Sequence, residues 1–310
     1  MNALNLIAEG AGFYKDEHLK VSNVLSNGAL DALRICSAGR GDICPVGIEP
    51  LVSRYDEGIH LKMFLTRASK FGYVIGVPAD GPVRTLAELK GKKIGVHSVT
   101  GTSAVFSTKS ALLAAGLKPD DYELVTIGME EQAVGALSSG KVAAAALPFY
   151  ELIPFMTAGT RLRILRHPTL GEYANAGYAA APSVIEEKED ALRRFSRAIV
   201  KASLLVRYNP AAAAQALLTG DGRPFSPADL QRKTAELTFW EDDLPAADPA
   251  SRRIGAMSMT GMQAYIRILA DAGETRNVIP VSQVVTDQFI GFANDFDRKA
   301  FEQYAKQAPR

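Results

Sequence analysis

The run Ser98-Val-Thr-Gly-Thr-Ser103 follows an apolar strand pattern, Ile94–Val96, and leads into an apolar helical pattern that opens near Thr102. A loop of serine, threonine and glycine at a helix start offers unpaired N–H groups and hydroxyls, and the helix dipole favours an anion there. Gly101 lets the backbone approach a guest closely. This stretch has neither the lysine of a phosphate loop nor the G-x-G-x-x-G of a dinucleotide turn. The expected guest is therefore a small anionic or polar molecule, held by Ser98, Thr100, Gly101, Thr102 and Ser103. The alternative role, N-capping by Thr100 or Thr102, is compatible with ligand contact.

Other residues sit where chemistry could occur. His97 ends the strand beside this loop, facing either a ligand or a structural partner. Gly47-Ile48-Glu49-Pro50 follows the apolar run Ile43–Val46. There Glu49 is either a helix N-terminal charge or a partner for a ligand's amine or ring N–H. Phe149 and Tyr150, at a strand–helix junction, form either an apolar wall or core. Cys44 is expected to end its strand, where α/β folds place functional groups, although a buried thiol is more simply a small hydrophobe. Cys36 lies on an apolar helix face and reads as core. Trp240, next to Phe239 and Glu241-Asp-Asp, suggests a helix end. No Gly-x-Ser-x-Gly elbow occurs, so no local hydrolase constellation is visible. His18, His60, His97 and His167 are scattered, and no metal or cofactor is expected.

Bulk properties narrow the classes. A chain of 310 residues can bury a large core and is expected to form two lobes. Its net charge of +1, with no basic run, argues against a nucleic-acid footprint. Hydrophobic residues make up 47 % of the chain, but no apolar run approaches the roughly 18 residues of a membrane span. Two cysteines exclude a disulfide-dense scaffold and a zinc site built of cysteine alone. Met1-Asn-Ala-Leu4 runs directly into a helical pattern without the features of a signal peptide.

The elements that must position these residues follow from periodicity. A first helix carries Leu4, Ile7, Ala8 and Ala11; a short strand is expected over 19–25, and Asn27-Gly28 marks a turn. A helix with Ala29, Ala32, Leu33 and Cys36, the strand Ile43–Val46, a helix over 51–57 closed by Gly58 and a strand over 61–65 follow. From Tyr73 the pattern alternates: strands over 73–77, 94–96, 124–127, 142–147 and 162–165, helices over 102–115, 130–139 and 149–157, and a short Thr85-capped helix. Short apolar strands between helices predict a parallel sheet covered on both faces. From Glu186 onward the chain reads as helical, over 192–208, 211–218, 228–237 and 261–272.

Glu9-Gly-Ala-Gly-Phe-Tyr-Lys15, Gly41-Asp-Ile43, Leu86-Ala-Glu-Leu-Lys-Gly-Lys-Lys-Ile-Gly-Val96 and Gly140-Lys-Val142, in that order, resemble the substrate-binding proteins of bacterial ABC importers. The nearest group is the sulfonate, taurine, nitrate and thiamine-pyrimidine-precursor binders (SsuA/THI5-like or NMT1-like). The resemblance covers at least residues 4–165, extended by the hinge-like segments Tyr73–Pro78 and Ala176–Pro182. It implies the type II periplasmic binding protein fold: two α/β lobes, 1–76 with 178–310 and 77–177, joined by a two-strand hinge. It further implies a ligand enclosed in the cleft by Gly47–Pro50, His97–Ser103, Phe149, Tyr150 and the hinge residue Tyr178. The implied partner is an inner-membrane permease and the implied state a monomer, periplasmic or lipid-anchored at the outer face of the membrane. Family members generally begin with a strand before the first helix, so an upstream segment, or another one, is expected to complete the site. Some relatives of this fold are enzymes, pyrimidine synthases and desulfinases. The cysteine-rich motif of the former is absent.

Overall fold

The computed structural model describes residues 3–26, 29–68, 70–97, 99, 103–128, 130–157, 159–171, 173, 176–239 and 253–308. The chain opens with α1 (Ala3–Gly10), α2 (Ala29–Ser37), β1 (Cys44–Gly47), α3 (Ile48–Ser53) and β2 (Lys62–Thr66). It continues through β3 (Tyr73–Pro78), β4 (Lys93–Val96), α4 (Ser103–Ala114), β5 (Glu123–Thr126) and α5 (Glu130–Ser138). Next come β6 (Ala144–Pro148), α6 (Phe149–Thr157), β7 (Leu162–Leu165) and β8 (Ala176–Ala180). The remainder is helical: α7 (Glu189–Tyr208), α8 (Pro210–Asp221), α9 (Pro227–Thr238), α10 (Met259–Asp271) and α11 (Arg298–Gln307), with short helical turns between. Two compact units result, Met1–Lys70 with Tyr173–Arg310, and Phe71–Glu172.

In the first unit a three-stranded sheet has the order β1–β8–β2, with β8 antiparallel to both neighbours. The register pairs Gly47 with Ala176 and Thr66 with Gly177, so β1 and β2 end on the edge where β8 begins. The core is mostly helical. Leu192, Phe195, Ile199, Ala202, Leu205 and Val206 recur at helical spacing and bury one face of α7. Helices α1 and α8 meet through glycine: a Cβ built on Gly220 would lie 2.1 Å from the Leu6 carbonyl oxygen, and one on Gly10 1.9 Å from that of Ala216. Only hydrogen fits between these backbones.

The second unit has a five-stranded sheet in the order β5–β4–β6–β3–β7. Strand β4 runs parallel to β5 and β6, whereas β3 is antiparallel to β6 and β7. The expected parallel sheet is thus a mixed one. A strand buried on both faces is apolar throughout whichever way it runs, so its composition does not encode direction. Helices α4 and α5 stop where expected, at Gly116 (φ 86°) and Gly140 (φ 73°). Thr85 caps a single 3₁₀ turn, with Glu88 completing a capping box.

Three local expectations change. Residues 19–26 form no strand. Leu19 and Val21 pack on the core, but Val24 and Leu25 are 59 % and 86 % exposed, so the apolar pattern docks a coil. Cys44 begins β1 instead of ending it. Helix α3 starts at Ile48, making Gly47–Pro50 a strand end plus a first helical turn, and Tyr55–Glu57 is a separate 3₁₀ turn. The turn at Asn27-Gly28 lies outside the described residues, as does Trp240.

Candidate functional site

In the second unit β4 and β6 are parallel neighbours, with Ile94 opposite Ala144 and Gly95 opposite Ala145. Their C-terminal ends therefore share one edge of the sheet. His97 follows β4 directly. Glu151 stands in the first turn of α6, directly after β6, where a helix dipole favours an acid. The imidazole Nε2 of His97 lies against Oε2 of Glu151, and the two side chains remain 22 % and 18 % exposed. An imidazole beside a carboxylate at a strand end offers a ligand both a ring nitrogen and carboxylate acceptors. The sequence nominated His97 but not Glu151, because the parallel pairing of β4 with β6 is what joins them.

Phe149 and Tyr150 separate at this junction. Phe149 is buried, with the Arg166 guanidinium 5.6 Å from its ring centroid and its N–H donating to Gly72 O at 2.8 Å. Tyr150 is 56 % exposed. Ser103 opens α4, while Ser98, Thr100, Gly101 and Thr102 lie outside the described residues.

His167 has a different character. Its Nδ1 accepts from the N–H groups of Thr169 and Leu170 at 3.1 and 3.0 Å, which leaves the ring proton on Nε2, 3.1 Å from Ser110 Oγ. Burial pushes its pKa down to about 4, so this ring is a neutral structural clamp.

The first unit has its own strand-end constellation. Gly47 is extended (φ −84°, ψ 166°) and Ile48 fully buried. Glu49 is also buried, and its Oε1 accepts from the Tyr265 hydroxyl at 2.6 Å. Pro50 completes the first turn of α3 without an N–H. At the parallel position after β2, Arg67 donates its backbone N–H to Ala176 O at 3.0 Å. Its Nε is buried and has no hydrogen-bond partner among the described residues. The sequence reading missed Arg67; a lone arginine after an apolar strand was the only signal. Tyr178, two residues inside the start of β8, is buried in the core with its ring edge-on to Phe195 at 5.1 Å.

The family described as NMT1/THI5 like matches residues 3–213, more than half of the chain. The chain belongs to the NMT1/THI5-like family. A curated relative, the riboflavin-binding protein RibY of Chloroflexus aurantiacus, is 23 % identical over 248 residues, covering 79 % of this chain and 68 % of RibY. A second, the 4-amino-5-hydroxymethyl-2-methylpyrimidine phosphate synthase of Aspergillus parasiticus, is 24 % identical over 247 residues, 75 % of this chain and 70 % of that enzyme. Among solved structures, the alkanesulfonate-binding protein SsuA of Xanthomonas axonopodis pv. citri, bound to MOPS, aligns with a TM-score of 0.62 and 19 % identity. That alignment covers 93 % of this chain and 95 % of SsuA. The fold is that of the SsuA-type periplasmic binding proteins, in agreement with the resemblance drawn from the sequence. Among the described residues, no helix is long and apolar enough to cross a membrane.

Proposed function

We propose that this chain is the solute-binding receptor of an ABC import system, taking a small organic anion or a heteroaromatic and delivering it to a membrane permease. The observation that carries the reading is the partly exposed His97–Glu151 pair at the C-terminal sheet edge of the second unit. A carboxylate accepts from an amine or ring N–H while the imidazole side and the adjoining loop Ser98–Ser103 receive the guest's anionic end. A taurine-like sulfonate or an N–H-bearing ring satisfies both. Membership of a family whose relatives include a riboflavin binder, with the fold of an alkanesulfonate binder, supports the same classes. The receptor acts in the periplasm, or anchored at the outer face of the membrane, as a monomer.

Thermal-shift and calorimetric titration with taurine, ethanesulfonate, a short carboxylate, nitrate, riboflavin and an aminopyrimidine tests this. A ligand at 100 times its Kd adds about 2.7 kcal/mol to stability, a readily measured rise in Tm. Glu151→Gln is expected to weaken amine- or N–H-bearing ligands at least tenfold and ethanesulfonate far less. The reading fails if none of the six binds, or if the variant binds all of them as the parent does. The pyrimidine synthase among the relatives favours one second reading, an enzyme on the same fold. Product formation from a bound pyrimidine precursor would establish it.

A further inference from the structure

Cys36 lies in the last turn of α2 and Cys44 opens β1, and both are buried, 3 % and 1 % exposed. The segment between them folds back tightly. Gly39 is left-handed (φ 69°), its N–H donates to Cys36 O, and the Arg40 N–H donates to Ile35 O, each at 3.0 Å. These are the paired bonds of a Schellman motif, which reverses the chain directly after the helix. Gly41 then passes so close to α2 that a Cβ on it would stand 3.6 Å from Cys36 Sγ. The turn thus returns β1 against the helix that carries the first thiol, and the neighbouring Cys36 thiol holds the pKa of Cys44 up.

We propose that Cys36 and Cys44 are a disulfide-forming pair, closed when the chain folds in an oxidising compartment. The oxidant is a small-molecule disulfide or a disulfide-bearing protein. One cysteine thiolate attacks the oxidant's S–S bond, forming a mixed disulfide and expelling one thiolate. The second cysteine thiolate attacks the bonded cysteine sulfur and expels the other. Two electrons pass to the oxidant, and its two expelled thiolates take up two protons in place of those the cysteines gave up, so its disulfide becomes two thiols. The neighbouring Cys36 thiol and burial raise the Cys44 pKa, and in the folded chain both cysteines are closed off from an oxidant. Closure therefore precedes burial and belongs to folding. The product ties α2 to the first residue of β1, the strand that leads into the helix carrying Glu49, and it is independent of the proposed ligand.

The full chain, unfolded in reductant, is refolded either with oxidised and reduced glutathione or with reductant alone. Arg34, Arg40 and Arg54 flank and separate the cysteines, so trypsin gives residues 35–40 and 41–54 as separate peptides unless a disulfide joins them. The expected result is a monomer lighter by two hydrogens, the two peptides linked, and a melting temperature several degrees above that of the reduced chain. Cys36→Ser is expected to abolish the mass loss and to take up glutathione at Cys44 or dimerise. The proposal is overturned if the oxidised parent chain keeps two free thiols or carries glutathione on both. It also fails if the linked chain melts no higher than the reduced one, or if Cys36→Ser still loses two hydrogens.

Discussion

Each unit places an acid in the first turn of a helix that directly follows an apolar strand, Glu49 after β1 and Glu151 after β6. Their local sequences, Gly47-Ile48-Glu49 and Pro148-Phe149-Tyr150-Glu151, give both the same helix-dipole rationale. Their surroundings differ. Glu49 is buried and receives the hydroxyl of Tyr265, 216 residues away, so it fastens helix α10 to the sheet edge. Glu151 pairs with a histidine from the adjacent strand and stays accessible. The same strand-end device serves as a brace in one unit and as a candidate contact surface in the other. What decides between these roles is whether a distant helix covers the acid.

The largest effect that tests this division concerns the first unit's helical packing. Gly220→Val places carbon against the Leu6 carbonyl, and overpacking onto backbone costs about 3 kcal/mol or more. Hydrogen exchange is expected to accelerate in α1, α7 and α8 while α4 and α5 keep their protection. Uniform loss across both units would show that they unfold as one.

The second unit carries the counterpart in His167. Its folded-state pKa, about 4, lies below the unfolded value near 6.5, so the unfolded chain takes up the proton first as pH falls. The stability this ring contributes is present above pH 6.5. It is lost progressively toward pH 4, by up to about 3 kcal/mol. Denaturant midpoints between pH 7.5 and 4.5 are expected to fall more steeply for the parent than for His167→Gln. Equal slopes would remove His167 as the cause.

The strand–helix alternation of the second unit was legible because its stops are local: Gly116 and Gly140 are left-handed, and Thr85 with Glu88 builds a capping box within four residues. Long-range facts were not legible. Nothing near Glu49 announces Tyr265, and nothing near His97 announces Glu151, because the docking of a distant helix creates the first encounter and strand order the second. The direction of β3 was hidden by burial on both faces, and residues 19–26 imitate a strand because a docked coil can also carry apolar anchors. Part of the nominated ligand loop, Ser98 and Thr100–Thr102, lies outside the described residues. Of the nominated residues from His97 to Ser103, His97 is the one whose side-chain partner is described.

Smaller in effect is Tyr265→Phe. It leaves a buried carboxylate oxygen without the 2.6 Å donor while keeping nearly the same volume. Loss of a hydrogen bond to a charged group costs about 1.5–3 kcal/mol. The denaturant midpoint should fall accordingly, and exchange should rise first in α10 and α3. A change below about 0.5 kcal/mol would show that Glu49 is held by other groups and that the brace does not depend on Tyr265.

The smallest stability effect is expected where the functional reading is strongest. Glu151→Gln keeps shape and hydrogen-bonding capacity but removes the charge facing His97. The pair is about one-fifth exposed on each side, so solvent screens it, and its loss should cost no more than about 1 kcal/mol. Ligand affinity, by contrast, should drop by tenfold or more for amine- or N–H-bearing guests, a change of about 1.4 kcal/mol or more in binding. A residue kept for folding loses stability when altered, whereas one kept for recognition loses affinity at nearly constant stability. Calorimetric titration and chemical denaturation of the same preparation measure both quantities. If Glu151→Gln instead destabilises the second unit as strongly as Tyr265→Phe destabilises the first, Glu151 is a second brace, and the contrast between the two strand ends collapses.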